Sequence, residues 1–158
     1  MKKGLLITGL VALVLFILSG FYIIPGMYRY IYPYLDREVS GPVTISTEWQ
    51  EIIPKEPLKA ERQLHYLVIE IQSPYRTDEK SWGIRLADGS VVTFEAQIVD
   101  QDGKSYNLAS PAFLNEKVAR GLMELPKDKQ YPVVRIRASQ QIKVSRIYWR
   151  CYNSWDVS

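Results

Sequence analysis

The sequence predicts an all-β fold, a single β-sandwich or jelly-roll domain preceded by one N-terminal transmembrane helix. Three observations support this prediction. Short segments of alternating apolar and polar residues recur along residues 42–158. Asp-Gly pairs, the strongest short-range hairpin signal, follow two of them. Residues 5–24 contain no charged side chain, which is typical of a membrane span.

Length and charge limit the classes of protein to consider. A chain of 158 residues supports one domain with an appendage. Four of the 20 basic residues and two of the 17 acidic ones lie in residues 1–40, which leaves a net charge of +1 for the rest. Such a balance lacks the dense positive field that nucleic-acid binding needs. Cys151 is the only cysteine, so no intramolecular disulfide can form.

The N-terminal apolar run reads LLITGLVALVLFILSGFYII. As a helix it would extend about 30 Å, the thickness of the hydrocarbon core of a bilayer. A cleaved signal peptide, with Lys2 and Lys3 as its basic region, and a helix buried in a partner protein are the alternatives. The run is longer than a usual signal-peptide core, and Phe21 stands where a lipoprotein would need its lipid-carrying cysteine. An uncleaved signal anchor is therefore favoured.

This interpretation divides the chain into four parts. Residues 1–4 form a short cytoplasmic tail, residues 5–24 cross the cytoplasmic membrane once, residues 25–41 form an interfacial segment and linker, and residues 42–158 form an extracytoplasmic domain. The orientation depends on the short basic tail, which usually stays inside. Membrane lipid is accordingly one predicted partner.

Tyrosines are concentrated just after the apolar run, at Tyr22, Tyr28, Tyr30, Tyr32 and Tyr34. Tyrosine rings favour the membrane–water interface, so they predict an interfacial collar. Their spacing of two also suits a strand, and a ligand-stacking platform is a third interpretation. Pro25, Gly26 and Pro33 argue against a regular strand, because proline removes backbone donors. Residues 36–42, DREVSGP, are interpreted as the linker.

The first half of the domain contains strand signals. PVTISTEWQEII, residues 42–53, predicts one or two strands, because Val43, Ile45, Thr47 and Trp49 share one parity. EPLKAERQ then predicts a loop or a single helical turn. LHYLVIEI, residues 64–71, is nearly continuously apolar, which is typical of a strand covered on both faces.

Two Asp-Gly pairs predict hairpins in the middle of the domain. Asp88-Gly89 follows SWGIRL and Asp102-Gly103 follows VVTFEAQIV. Alternation places seven apolar side chains inward, namely Trp82, Ile84, Leu86, Val92, Phe94, Ala96 and Ile98. Residues 110–125, SPAFLNEKVARGLMEL, are interpreted as a loop that could contain one helical turn, opened by Ser110 and Pro111.

YPVVRIRAS and QIKVSRIYWRCYN, residues 131–139 and 141–153, predict a closing hairpin. Ile142 and Val144 are even-numbered, whereas Ile147, Trp149 and Cys151 are odd-numbered. If both sets are buried, one extra residue must lie near position 145 or 146. The sequence therefore predicts a β-bulge there.

The predicted hairpin defines a candidate ligand-binding face. Its members are aromatic or cationic side chains expected to be exposed, namely Arg135, Arg137, Arg146, Tyr148, Arg150 and Tyr152. Aromatic planes flanked by arginines can stack on sugar rings or hold acidic groups. A solvated sheet face and a subunit contact are the alternatives.

The stretch VVRIRASQQIKVSRIYW is similar to the closing strands of jelly-roll domains of the galactose-binding-like kind. In those domains a V-R-I strand leads through a short turn into a strand that ends in I-x-W. The resemblance covers about 40 residues and implies only a fold, since a fold does not fix a function. It transfers no binding residue to this chain.

The sequence offers no recognisable catalytic machinery. His65, the single histidine, falls within a predicted central strand, and Cys151 falls on a predicted inner face. DQDG, residues 100–103, resembles the start of a calcium loop but lacks the further acidic ligands, so a hairpin turn is favoured. No catalytic residue, metal site or cofactor is predicted.

These observations predict a non-enzymatic binding or assembly module at the cell envelope, whose ligand is a glycan, an envelope polymer or a protein. A structural subunit of a membrane complex is the alternative. Small residues in the apolar run and next to it would then pack against other helices, namely Gly4, Thr8, Gly9, Ala12, Ser19 and Gly20. A hydrolase is the least favoured class.

Overall fold

The computed structural model describes residues 34–62, 64–114, 117–123 and 125–152. These residues form β-strands, turns and loops and contain no helix, which confirms the predicted all-β class. The predicted anchor at residues 5–24 and four of the tyrosines, Tyr22, Tyr28, Tyr30 and Tyr32, lie outside the described residues. Within the described ranges, no helix with the length and hydropathy of a membrane span is present.

Fifteen strands are present in this part of the chain. They are β1 (Tyr34–Ser40), β2 (Val43–Ile45), β3 (Gln50–Ile52), β4 (Leu58–Lys59), β5 (Leu64–Ile71), β6 (Tyr75–Asp78), β7 (Gly83–Leu86), β8 (Val91–Val92), β9 (Phe94–Val99), β10 (Ser105–Asn107), β11 (Ser110–Leu114), β12 (Lys117–Met123), β13 (Gln130–Tyr131), β14 (Val133–Ala138) and β15 (Ile142–Tyr152). All of the strand pairs are antiparallel.

The largest sheet has six strands, in the order β1-β15-β5-β12-β11, with β2 also paired to β15. The strand at residues 64–71 pairs with a neighbour on each side. Leu67 and Ile69 alternate with Val68, and all three are fully buried. The prediction of a central strand covered on both faces is therefore confirmed.

A second sheet has four strands, in the order β10-β9-β14-β3, and the smaller sheets are β6-β7-β8 and β13-β4. Both Asp-Gly hairpins are confirmed: Gly89 (φ 87°) lies between β7 and β8, and Gly103 (φ 83°) lies between β9 and β10. A positive φ is accessible to glycine at no steric cost, which explains its position in these turns.

The two larger sheets contribute to one hydrophobic core. Leu67, Ile69 and Trp149 come from the six-stranded sheet, and Phe94 and Ile136 come from the four-stranded sheet. Six of the seven side chains predicted to point inward belong to this core or pack against it, whereas Trp82 is exposed. Trp82 has a positive φ of 52°, which interrupts the alternation of its segment.

The predicted closing hairpin is wrong. Strand β14 pairs with β9 and β3, whereas β15 pairs with β1, β2 and β5, so the two strands belong to different sheets. Residues 139–141 make the connection, and they contain no glycine or asparagine for a tight hairpin turn. Alternation identifies the buried side chains of each strand but does not identify the neighbouring strand.

The bulge predicted within the last strand is confirmed, because the β15–β5 register shifts between Val144 and Arg146. The hydroxyl of Ser145 donates a hydrogen bond to the carbonyl oxygen of Glu70 at 3.0 Å, and this bond holds the extra residue. The shift allows both the even-numbered and the odd-numbered apolar residues of β15 to reach the core.

The assignment of residues 36–42 to a linker is wrong for most of the segment, because residues 34–40 form the edge strand β1. Its register with β15 runs from Tyr34 opposite Tyr152 to Ser40 opposite Ile147, and Val39 is buried in the core. An edge strand pairs on one side only, so a polar sequence is compatible with it. Tyr34 is thus in a strand, as expected if the spacing of two among the tyrosines is interpreted as a strand pattern.

Residues 110–123 form a hairpin of two strands instead of a loop with a helical turn. Strand β11 pairs with β12 from Ser110 opposite Gly121 to Leu114 opposite Lys117. Gly121 lies within strand β12. In the structure the ring of Tyr66 lies so close to Gly121 that a Cβ atom there would collide with it. This glycine marks a close approach within a strand.

Candidate functional site

The six residues of the predicted binding face do not form one face. Arg135 and Arg137 lie on β14 in the four-stranded sheet, whereas Arg146, Tyr148, Arg150 and Tyr152 lie on β15 in the six-stranded sheet. This division follows directly from the absence of a β14–β15 hairpin. Each group therefore has its own surroundings.

Two of the four residues of the β15 group are buried, contrary to the prediction of an exposed face, whereas Arg146 is exposed as predicted. Tyr148 is 2% exposed and Arg150 is 5% exposed. Three cations surround the Tyr148 ring: the Nζ atom of Lys117 and the Cζ atoms of Arg146 and Arg150 lie 5.6, 5.2 and 5.0 Å from its centroid. Cation–π contacts of this geometry are stabilising, so the tyrosine ring holds these side chains together.

Arg150 is fixed by a carboxylate of β1. Its Nε and Nη2 atoms donate hydrogen bonds to the two carboxylate oxygens of Asp36, each at 2.6 Å. Burial by itself would lower the pKa of Arg150, but the hydrogen bonds involving Asp36 and Tyr152 raise that pKa by more. A buried arginine with a bidentate partner is committed to that partner, so Arg150 has a structural role.

The β14 group lies beside an exposed tryptophan. Arg137 donates from Nη2 to both carboxylate oxygens of Glu95, at 2.9 and 2.8 Å, and its Cζ atom lies 4.9 Å from the ring centroid of Trp49. Trp49 is 39% exposed. Arg135 instead donates to Glu51 at 2.9 and 2.7 Å. Only Arg137 is therefore in contact with an exposed aromatic ring.

Arg137 and Trp49 line a cavity of about 500 Å³, which we call the Trp49 cleft. Its lining residues are Trp49, Phe94, Glu95, Ala96, Gln97, Asn107, Leu108, Ala109, Arg120 and Arg137. This volume is within the range of small-ligand sites. Apolar floor residues combined with a few convergent polar side chains are the usual composition of such sites.

Strand β9 and the end of strand β10 border this cleft. Strand β10 ends at Asn107. One further backbone hydrogen bond joins the following residue to β9, from the amide of Leu108 to the carbonyl of Ala96 at 2.9 Å, and the chain then diverges from β9. The Nε2 atom of Gln97 donates to Oδ1 of Asn107 at 2.8 Å, which fixes both amide side chains at the cleft. A pre-positioned pair of amides can bind a ligand without a large ordering cost.

Arg120 reaches the cleft from β12 of the other large sheet. Its Nη2 atom donates to the carbonyl oxygen of Trp82 at 3.3 Å, and its Nε atom is buried without a hydrogen-bond partner in the described structure. Burial lowers the pKa of Arg120, and the nearby Glu95 partly offsets this effect. Trp82 itself stacks on Phe113, with ring centroids 5.6 Å apart.

Sequence reasoning identified one residue of the Trp49 cleft, Arg137, and missed the others. Glu95 and Gln97 alternate with the inward-pointing Phe94, Ala96 and Ile98, so alternation is a usable local signal for their exposure. Trp49 and Arg120 gave no such signal, because the two residues are 71 positions apart in the sequence and come together only through the fold. Pairing of distant strands cannot be inferred from a single pattern of alternation.

The other chemically notable side chains lie in the interior. His65 stacks on Trp149 with ring centroids 5.5 Å apart, neither of its ring nitrogens makes a hydrogen bond of normal geometry, and burial lowers its pKa to about 4. Burial raises the pKa of the Cys151 thiol to about 12. No group of three or more histidine, cysteine or acidic side chains suited to a metal ion occurs among the described residues.

Asp100, the first residue of the DQDG segment, is buried at a turn. Its carboxylate accepts hydrogen bonds from the amides of Asp102 and Lys104, both at 2.9 Å, and from the Tyr106 hydroxyl at 3.1 Å. Burial would raise the pKa of Asp100, but these hydrogen bonds lower it overall. The carboxylate therefore organises the hairpin, as the turn interpretation of this segment holds.

Comparison with known proteins gives no family assignment. No family model matches the chain, and no curated protein or solved structure is significantly similar to it.

Proposed function

We propose that this protein is a membrane-anchored, non-enzymatic binding module of the cell envelope, and that its Trp49 cleft binds a glycan. The observation that carries the proposal is the combination of Trp49, 39% exposed, with the fixed amide pair of Gln97 and Asn107 in one cavity. A carbohydrate ring has an apolar face and a rim of hydroxyl groups. An indole and planar polar side chains complement these two features.

The polar side chains of the cleft suit hydroxyl recognition. The Nη2 atom of Arg137 donates hydrogen bonds to both carboxylate oxygens of Glu95, which fixes the two side chains relative to each other. Each amide of the Gln97–Asn107 pair carries a second polar atom beyond the bond that joins them. Adjacent sugar hydroxyls can bridge such donors and acceptors, which gives orientation, while the indole contributes apolar contact area.

The remaining parts of the proposal concern architecture and location. We propose that the two larger sheets form a β-sandwich of the jelly-roll kind, which is supported by the core they share. The uncharged segment at residues 5–24 supports a single-pass anchor in the cytoplasmic membrane, with the domain on the extracytoplasmic side. In this arrangement the ligand would be an envelope polysaccharide.

The test is retention of the full-length protein, purified in detergent micelles, on a panel of immobilised polysaccharides. We expect Trp49→Ala and Arg137→Ala to reduce retention about tenfold, since a lost aromatic or charge-assisted contact is worth roughly 1 kcal/mol or more. Arg135→Ala is the matched control. It removes an equally exposed, salt-bridged arginine of the same strand that does not line the cleft.

Two results would contradict the proposal. One is retention on no polysaccharide, and the other is equal retention of the wild type and Trp49→Ala. If the protein instead purified with a stoichiometric partner in mild detergent and bound no glycan, a structural subunit of a membrane complex would be the better description.

A further inference from the structure

Arg120 differs from the other arginine of the Trp49 cleft in its partners. Arg137 is neutralised by the two hydrogen bonds to Glu95. Arg120 has one hydrogen bond, to the Trp82 carbonyl at 3.3 Å, and no ion pair with a carboxylate of the described residues. Arginines elsewhere in the domain do bind carboxylates: Arg37 binds Glu61, Arg85 binds Asp78, and Arg150 binds Asp36.

The cleft therefore has an excess of one positive charge. Its charged lining residues are Glu95, Arg120 and Arg137, and the first cancels the charge of the last. Burial partly desolvates the charge of Arg120 and so lowers its pKa, an effect that the nearby Glu95 compensates only in part. A positive charge in a partly enclosed cavity attracts an anion more strongly than one on an open surface does.

The hydrogen bonding of Arg120 is also incomplete. Its Nε atom is buried and makes no hydrogen bond within the described part of the chain. A buried donor without a partner is unfavourable, so a turn of the guanidinium toward the cleft would exchange one long hydrogen bond for better ones. The Nε and Nη groups of arginine form a planar fork that matches the two oxygens of a carboxylate.

We infer that the ligand of the Trp49 cleft is an acidic glycan, one containing uronic acid residues, and that Arg120 binds its carboxylate. The inference rests on the proposed function. In this arrangement Trp49 contacts the sugar ring, Gln97 and Asn107 bind its hydroxyls, and Arg120 distinguishes an acidic sugar from a neutral one of the same stereochemistry.

The experiment compares matched ligands. Uronic acid oligosaccharides of gluco, galacto and manno configuration are immobilised beside their carboxyl-reduced forms, which differ only in the charged group. The full-length protein in detergent micelles is then applied. We expect at least tenfold stronger binding to an acidic member than to its reduced form, and we expect this preference to fall as salt is raised.

The variants identify the residue responsible. Arg120→Gln should remove the preference for the acid, because the amide carries no charge. Arg120→Lys should retain part of the preference. It also serves as the folded comparison if Arg120→Gln lacks a cooperative thermal transition. Arg135→Gln, outside the cleft, should behave as the wild type.

The possible outcomes separate the two proposals. Equal binding of acidic and reduced forms, lost in Trp49→Ala, would overturn the acidic-ligand inference and leave the glycan-binding function supported. A preference for the acid that persists in both Arg120 variants would also overturn the inference. Binding to neither form of any sugar, here and on the polysaccharide panel, would overturn both.

Discussion

Asp36 and Arg150 are joined across the β1–β15 pair by two hydrogen bonds of 2.6 Å, between the strand nearest the N-terminus of the described chain and its last strand. The Arg150 side chain is only 6% exposed, and the Asp36 carboxylate binds two of its three guanidinium nitrogens. The strand that contains Asp36 is therefore integral to the domain.

We expect Asp36→Asn to reduce the free energy of unfolding by about 2 kcal/mol or more, because it removes the carboxylate charge that makes two hydrogen bonds to the buried guanidinium of Arg150. Denaturant unfolding measures the change. Glu38→Gln, on the same strand and exposed, is the control and should have little effect. Equal stability of the two variants would contradict a role for the ion pair.

The double variant Asp36→Leu, Arg150→Met tests the same pair from the other side. Replacing both partners with apolar residues leaves no buried charge, so we expect it to recover most of the stability lost in Asp36→Asn. If the double variant were as unstable as Asp36→Asn, the loss would come from packing and not from the unpaired charge.

His65 predicts a dependence of stability on pH. The pKa of the native imidazole is lowered to about 4, whereas an unfolded histidine titrates near pH 6.5. Between these values the unfolded state binds the proton and the native state does not, so stability falls as pH is lowered from about 6.5 to about 4. The loss attributable to His65 is at most about 3 kcal/mol.

The measurement is the free energy of unfolding of the wild type and His65→Phe across that pH range. The phenyl ring keeps an aromatic contact with Trp149 but cannot take a proton. We expect the wild type to lose stability relative to His65→Phe as the pH is lowered from about 6.5 to about 4, because only the imidazole takes up a proton on unfolding. Parallel curves would show that the histidine does not cause the pH dependence.

Trp82 holds a left-handed backbone conformation, with φ of 52°, that is unfavourable for any residue with a Cβ atom. Trp82→Ala loses the stack on Phe113 and keeps the strain, whereas Trp82→Gly loses the stack and relieves the strain. We therefore expect the glycine variant to be more stable than the alanine variant by about 1 kcal/mol. Thermal unfolding compares them, and the reverse order would contradict the assigned conformation.

Gly121 lies beneath the ring of Tyr66, so an added methyl group would force the ring or the strand to move. We expect Gly121→Ala to destabilise the domain by about 1–3 kcal/mol, the usual cost of overpacking. Gly41→Ala is the matched control, because a Cβ atom there meets nothing within 4 Å. The double variant Gly121→Ala, Tyr66→Ser should lose less stability than the sum of the losses in the two single variants, because the ring that clashes with the added methyl group is then absent.

Local interactions explain what could be predicted from the sequence. The hairpins at Gly89 and Gly103 depend on a turn residue with positive φ, and the bulge at Ser145 follows from a parity change within one strand. The central position of residues 64–71 follows from apolar residues on both faces. Each of these features is determined by residues close together in the chain.

Features that depend on distant partners could not be predicted. The sequences of β14 and β15 determine which side chains are buried but not that the strands join different sheets. For that reason, the six residues of the predicted binding face lie in two different sheets. The Trp49 cleft could not be predicted either, because Arg120 comes from one large sheet and Glu95 from the other. Edge strand β1 was not predicted as a strand, because its sequence is too polar to show a clear alternation of apolar residues.

The pairing of β1 with β15 has a consequence for the order of folding during synthesis. Strand β1 leaves the ribosome first among the described strands, yet its neighbour in the sheet is the last one made. The pair joins residues more than 100 positions apart, a separation typical of slow, late steps in folding. Until β15 emerges, β1 has no partner and Asp36 has no arginine to bind, so we expect the nascent domain to remain dependent on chaperones until its final strand is complete.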